Sequence, residues 1–275
     1  MTPAAVRWAR PGRLQQVVLG DVVVTYVPDG FVELDPGAWF SRDDPNRVFR
    51  THKELLGDAG MLVASVGVLL LEGPGWRLLV DAGLGPTRVP ASDTHPALGA
   101  MHGGDLVDHR PRLRDVDAVV VTHWHDDHVG WARAGWPGFG NLREAPHLVG
   151  TGEPAPSHWG RVSDGDEVAP GVRVLATPGH TAGHVSLVVA GTEQRLVVLG
   201  DVMHSPVQVA QPHLGSCFEL DAHESRRSRS RVLDELAVPG TLGAATHFAD
   251  VPFGVVRGGR WEPSDGASMV VPPPG

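Results

Sequence analysis

The chain is almost devoid of cysteine and lysine: Cys217 and Lys53 stand alone among 275 residues. A single cysteine excludes an intrachain disulfide and a Cys-rich zinc module. Positive charge is also short, 23 basic against 32 acidic side chains for a net charge of −9. The basic face that grips a phosphate backbone is missing, so nucleic acid is not expected as a partner. No apolar run approaches membrane-spanning length. The first twenty residues carry Arg7, Arg10 and Arg13 but no apolar stretch of the kind a signal peptide needs. A cytoplasmic protein with no membrane association is the expectation. The plentiful residue is histidine, present 15 times.

Along the chain, β-branched runs alternate with turn signals. Gln16–Leu19 and Val22–Val27 flank Gly20-Asp21 as a hairpin. A turn is expected at Pro28-Asp29-Gly30, then a helix capped and started at Asp44-Pro45, running to about Leu56 and ended by Gly57. Met61–Leu71 and Trp76–Val80 form a second hairpin, a helix is expected around Pro96–His102, and Asp117–Val121 reads as a buried strand. A short helix near Val129–Ala134 precedes strands at about Pro146–Val149, Val172–Ala176, Val185–Val189 and Leu196–Leu199. Asp221 with Glu224 three residues on has capping-box spacing, and Val232, Leu233 and Leu236 give the helix after it an apolar face. Gly243–Thr246 is one more strand. With no long linker and no repeat, residues 1–275 are expected to form one domain of strands flanked by helices.

The chemistry concentrates after Val121, where Thr122-His123-Trp124-His125-Asp126-Asp127-His128 contains H-x-H-x-D-H. Alternation in an extended segment puts His123 and His125 on one side, about 6 to 7 Å apart, close enough to converge on one ion. Asp127 and His128 come as the chain turns and can address a second. Further ligand-capable residues stand at strand ends: Asp81, His180 and His184 in Thr177-Pro178-Gly179-His180-Thr181-Ala182-Gly183-His184, Asp201 after Gly200, and His247 after Thr246.

At these residues the sequence resembles the metallo-β-lactamase fold superfamily, from about residue 61 to 248, with all five of its motifs in order. The resemblance implies an α/β architecture of four layers, an αββα sandwich with two mixed sheets face to face. Carried over by position, His123, His125 and His184 would bind one metal, Asp127, His128 and His247 the other, and Asp201 would bridge them. Asp81 is expected to support a ligand rather than be one. Five imidazoles and two carboxylates without thiolate suit two Zn²⁺, with Fe or Mn as the other ions such donors accept. A hydroxide between two ions is a nucleophile at neutral pH, which points to hydrolysis.

Within the superfamily, a bridging Asp201 disfavours a true β-lactamase, and 28 residues after His247 leave no room for the helical substrate domain of glyoxalase II enzymes. Acidic charge disfavours the RNase Z branch. The segment Gly200-Asp201-Val202-Met203-His204-Ser205-Pro206-Val207-Gln208 looks most like the methyl parathion hydrolase and lactonase-like subgroup, although acyl-homoserine lactonases usually carry tyrosine where His204 stands. The expected substrate is a small neutral ester or lactone. Phosphotriesterase or thioesterase activity and a mononuclear iron persulfide dioxygenase are the alternatives. Asp127 and His204 are the candidate catalytic residues, His204 either as proton donor to the leaving group or as a histidine packed beneath the site. His180 is expected to bond within its Pro-Gly turn. Trp124, Met203 and Phe248 are read as pocket wall or core, and Phe31, Trp39 and Phe40 as lid or surface packing. Arg226, Arg227, Arg229 and Arg231 are expected on a solvated face, and Cys217 as buried filler. The N-terminal hairpin offers an edge for homodimer contact.

Overall fold

The computed structural model describes residues 7–41, 45–57 and 59–264. Two sheets dominate. The first has nine strands, with Ala118–Val121 between Trp76–Val80 and His147–Gly150, parallel to both. The second has seven, with Arg195–Val198 parallel to Thr241–Ala244 and antiparallel to Val185–Ala190. The central strands are apolar on both faces, as strands covered on two sides must be. Leu69, Leu71, Leu78, Val80 and Val120 point inward against Val174, Leu187, Val189, Leu196 and Val198 of the facing sheet. The alternate residues Leu70, Leu79, Val119 and Val121 point outward to Val129 and Trp131 of the helix Asp126–Arg133. Across the molecule, Leu175 and Val197 pack on Val232 and Leu236 of the helix Ala222–Leu236. The layering is helix, sheet, sheet, helix, the expected αββα sandwich.

Asp221 caps the last helix by accepting from the N–H groups of His223 and Glu224, while the Glu224 side chain turns to Arg227 instead of closing a capping box. Several expectations need correction. Leu98–Gly103 is a strand, not a helix, because it pairs antiparallel with Val23–Leu34. The Pro28-Asp29-Gly30 turn is a bulge inside that same twelve-residue strand. There the buried Asp29 carboxylate accepts from the backbone of Leu84, Gly85, Gly104 and Leu106 and from the Trp131 indole. The helix expected to reach Leu56 stops at Thr51, with a 3-10 turn over Lys53–Leu55; its proposed cap, Asp44, lies outside the described residues. Arg229 is buried, not solvated: it donates to the carbonyls of Val202 and Pro212 and pairs with Glu219 at 2.5 Å. Cys217 is exposed rather than buried. Among the described residues no helix is long and apolar enough to cross a membrane.

Candidate metal centre

Parallel pairing aligns strand ends at one rim, and the ligand-capable side chains sit there. His123, His125, Asp127 and His128 follow Ala118–Val121 of the first sheet; His180, Asp201 and His247 follow Val172–Ala176, Arg195–Val198 and Thr241–Ala244 of the second. The site therefore straddles the two sheets. Two groups of donor atoms form, each with its members within 4.8 Å of one another: His123, His125, His180 and Asp201, and Asp127, His128 and His247. Asp201 joins them, with Oδ1 at 3.1 Å from His128 Nε2 and 2.9 Å from His247 Nε2, and Oδ2 at 3.5 Å from His123 Nε2 and 3.3 Å from His180 Nε2.

His184 is the main correction. Both of its ring nitrogens are taken inside the protein, Nδ1 by Thr177 Oγ1 at 2.8 Å and Nε2 by the Asp201 backbone N–H at 2.9 Å. It buttresses the loop that carries Asp201, and burial pushes its pKa down to about 3. Gly200, at φ +56°, fits over that ring because a Cβ would stand 2.6 Å from His184 Nε2. The place assigned to His184 is filled by His180, whose Nε2 lies 3.0 Å from His125 Nδ1 and whose Nδ1 is buried without a partner.

The other rings are held by their outer nitrogens. His128 Nδ1 donates to Asp81 Oδ2 at 2.9 Å, His247 Nδ1 to the Ser65 carbonyl at 2.8 Å, and His123 Nδ1 meets Thr122 Oγ1 at 3.1 Å. Each bond leaves Nε2 facing the centre, the arrangement in which imidazoles bind metal. Asp81 also accepts from the Thr122 N–H and hydroxyl, in a left-handed conformation at φ +66° that a non-glycine residue keeps only when its surroundings hold it. Sequence reasoning missed Glu153. Buried, it accepts from Trp124 N, Thr181 Oγ1 and Gly183 N, and so ties the His123–His128 loop to the His180 loop. A lone glutamate in a turn gives no sequence signal for that role.

The donor set fits cations. His123 Nε2 and His125 Nδ1 are 2.9 Å apart and His128 Nε2 and His247 Nε2 3.2 Å. Such crowding of lone pairs is relieved by positive charge. Burial and neighbouring imidazoles hold His123 well below the ordinary histidine range. Burial acts on His128 in the same direction, but the carboxylates of Asp201, Asp81 and Asp127 outweigh it and raise the ring well above that range. Asp201 is kept well below the usual carboxylate value, its burial overcome by His128 and His247.

Beside the two groups lies a cavity of about 310 Å³, walled by Trp39, Trp124, Phe218, Leu98 and Met101 and reaching Asp127 and His204. Of the expected wall residues, Trp124 lines it, whereas Met203 and Phe248 are core; Trp39, expected as lid or surface packing, is part of the wall. Phe40 packs on Phe49 and Phe31 stacks on His102, both away from the cavity. His204 is both buried and at the cavity wall. Its Nε2 is 3.2 Å from Asp201 Oδ2, its ring stacks on His247 and meets Trp39 edge-on, and its Nδ1 has no partner.

Comparison with known proteins agrees with this geometry. Residues 63–242 match the model of the metallo-beta-lactamase superfamily. Human metallo-beta-lactamase domain-containing protein 1 is 34% identical over 177 residues, 59% of this chain and 57% of its own length. A hydroxyacylglutathione hydrolase of Aeromonas hydrophila is 33% identical over 103 residues, 36% of each chain. The match thus spans little more than half of the first relative and about a third of the second. Among solved structures, the hydrolase AbOPH of the beta lactamase superfamily superposes with a TM-score of 0.75 at 22% identity, covering 93% of this chain and 98% of its own. AidC, a dizinc quorum-quenching lactonase, gives 0.74 at 15%, covering 91% and 97%. With nearly two thirds of its length matched by the family model and a His/Asp cluster able to hold metal at the sheet rim, this chain belongs to the metallo-β-lactamase superfamily.

Proposed function

We propose that the protein is a dinuclear hydrolase of the lactonase-like subgroup that opens a small neutral ester or lactone. The observation that carries this reading is the pair of donor groups, His123/His125/His180/Asp201 and Asp127/His128/His247, sharing Asp201 beside an apolar cavity. Zinc is the ion best matched to imidazole and carboxylate without thiolate, with Fe or Mn next. Bound there, such ions supply a nucleophile at neutral pH by lowering the pKa of water toward about 7, and polarise the substrate carbonyl.

The chain's own residues do the rest. Trp39, Trp124, Phe218, Leu98 and Met101 exclude water from the apolar part of the substrate. None of the described residues lining the cavity is lysine or arginine, so no permanently cationic side chain is offered to an anionic substrate there. Asp127 keeps its carboxylate ionised against burial through His128 and His247 and faces the cavity, where it accepts a hydrogen bond from the attacking oxygen. His204, at the cavity wall with Nε2 3.2 Å from Asp201 Oδ2, is the side chain placed to pass a proton to the departing alkoxide.

Zinc-loaded protein assayed on a lactone, an aryl ester, a thioester and a phosphotriester tests the reading. Turnover is expected to be fastest on the lactone or aryl ester. Faster phosphotriester cleavage would move the protein to the phosphotriesterases, and one iron per chain with oxygen uptake would make it a dioxygenase.

A further inference from the structure

Arg7, Arg10 and Arg13 belong neither to the core nor to the cavity, yet all three converge on one buried side chain. Asp250, three residues past His247, has no exposed surface. Its Oδ2 is 2.6 Å from Arg10 Nη2 and 3.0 Å from Arg13 Nη2, and its Oδ1 accepts from the Arg13 backbone N–H and from Gln15 Nε2, each at 3.0 Å. Arg7 grips the Asp250 carbonyl through Nε and Nη2 at 3.1 and 2.8 Å, while the Asp250 N–H donates to the Arg7 carbonyl at 3.0 Å.

A second line of bonds runs from the same segment to His247. The Gly12 N–H donates to Ser65 Oγ at 2.6 Å, Ser65 Oγ donates to the Ala249 carbonyl at 2.8 Å, and the Ser65 carbonyl accepts from His247 Nδ1. Between His247 and Asp250, Ala249 sits at φ +43°, a left-handed conformation that alanine leaves unless held. Gly12 is required at the crossing, since a Cβ there would stand 2.8 Å from the Tyr26 ring and 3.0 Å from the Ala249 carbonyl.

We propose that residues 7–15 form a strap that positions His247, and with it the Asp127–His128–His247 group, by clamping Asp250 and Ser65. The inference rests on the dinuclear reading for its metal consequence but not for its geometric one. Freed of its arginines, a fully buried carboxylate must reach water. The chain carrying it then relaxes from the left-handed turn and swings His247 Nε2 off the centre. The His123/His125/His180/Asp201 group draws on other loops and is untouched by the strap.

The test uses the full chain with Asp250→Asn, and Arg10→Gln with Arg13→Gln, stripped by chelator and titrated with Co²⁺ by absorption and metal analysis. The wild type is expected to take up two ions. The variants should bind one with wild-type affinity and the other about tenfold or more weakly, as changes behind a metal ligand do. Equal affinity for both ions, or equal weakening of both, overturns the strap. If those variants do not fold, Arg13→Gln alone, whose side chain is 65% exposed, should show the same one-sided loss in smaller measure.

A second readout needs no metal: the His247 Nδ1–H proton resonance of the stripped protein, identified by its absence in His247→Gln. It should exchange faster in the strap variants, and an unchanged rate overturns the proposal whatever the ion count. A wild type that binds only one ion refutes the dinuclear reading alone and leaves this readout to judge the strap.

Discussion

Replacing His184 and His180 one at a time by alanine should separate a structural histidine from a metal-binding one four residues away. His184→Ala leaves the buried Asp201 N–H without an acceptor and Thr177 Oγ1 with Ser186 alone. An unsatisfied buried donor costs about 1–3 kcal/mol, and the hole left by a large buried side chain adds about 2 kcal/mol or more. The expected loss is about 3–5 kcal/mol, or roughly 10 °C in the melting temperature of the chelator-treated protein at about 2–4 °C per kcal/mol. His180→Ala removes a ring that lines the open cavity, whose Nδ1 bonds to nothing and whose Nε2 lies 3.0 Å from His125 and 3.3 Å from Asp201; it orphans no buried backbone group, so the metal-free protein should melt within about 5 °C of wild type. Metal content should respond the other way. At saturating zinc His184→Ala keeps its ions, whereas His180→Ala loses the one bound with His123 and His125. If His184→Ala lost an ion while melting like wild type, and His180→Ala kept both, the assignment drawn from the ring contacts would be wrong.

His204→Gln should slow lactone or alkyl ester turnover about 100-fold by removing the proton donor, and slow an ester with a good phenolate leaving group far less. Equal slowing of both would refute proton donation. Arg229→Ala breaks a buried pair with Glu219 and should cost about 3–5 kcal/mol, read as a lower denaturant midpoint. Arg226→Ala on the same helix should change it by less than about 0.5 kcal/mol. His147 donates from Nδ1 to the Ala145 carbonyl and accepts the Trp136 indole N–H on Nε2, and burial lowers its pKa. A lowered histidine pKa favours the neutral ring, so its contribution is complete above about pH 6.5 and is lost as pH falls through the folded value. Between about pH 7.5 and 5 the wild type should therefore lose more thermal stability than His147→Gln.

What could be read from the sequence was what is local. His123 to His128 follow a strand of four residues, so alternation and the turn after it place four side chains with no knowledge of the rest of the fold. His180 and His184 defeated the same logic because both stand in one turn-rich loop with equal claims. Register decides between them. The His184 carbonyl accepts from the Thr177 N–H as a continuation of the ladder, and its ring shares a hydroxyl, Thr177 Oγ1, with Ser186. His180 sits at the crown of the loop, where Leu220 N–H bonds its carbonyl. The strand Leu98–Gly103 was misread as a helix because its pairing partner lies some seventy residues earlier. The Asp250 clamp spans 235 to 243 residues, a distance over which no composition or spacing carries a signal. Glu153 was invisible for the same reason.

The donor groups take members from both sheets, and this bears on how the molecule comes apart. Without ions, the two sheets are joined by apolar contact across the sandwich and by hydrogen bonds at the rim, such as those of Ser65 with Ala249 and His247 and of Val185 N–H with the Thr122 carbonyl. Ions held at the rim would act as rivets through both layers, with a stabilisation that grows with occupancy. Amide protons of Arg195–Val198 and Ala118–Val121 would then exchange through one common opening rather than two. Metal supply would thereby set the size of the smallest piece of this protein able to unfold on its own.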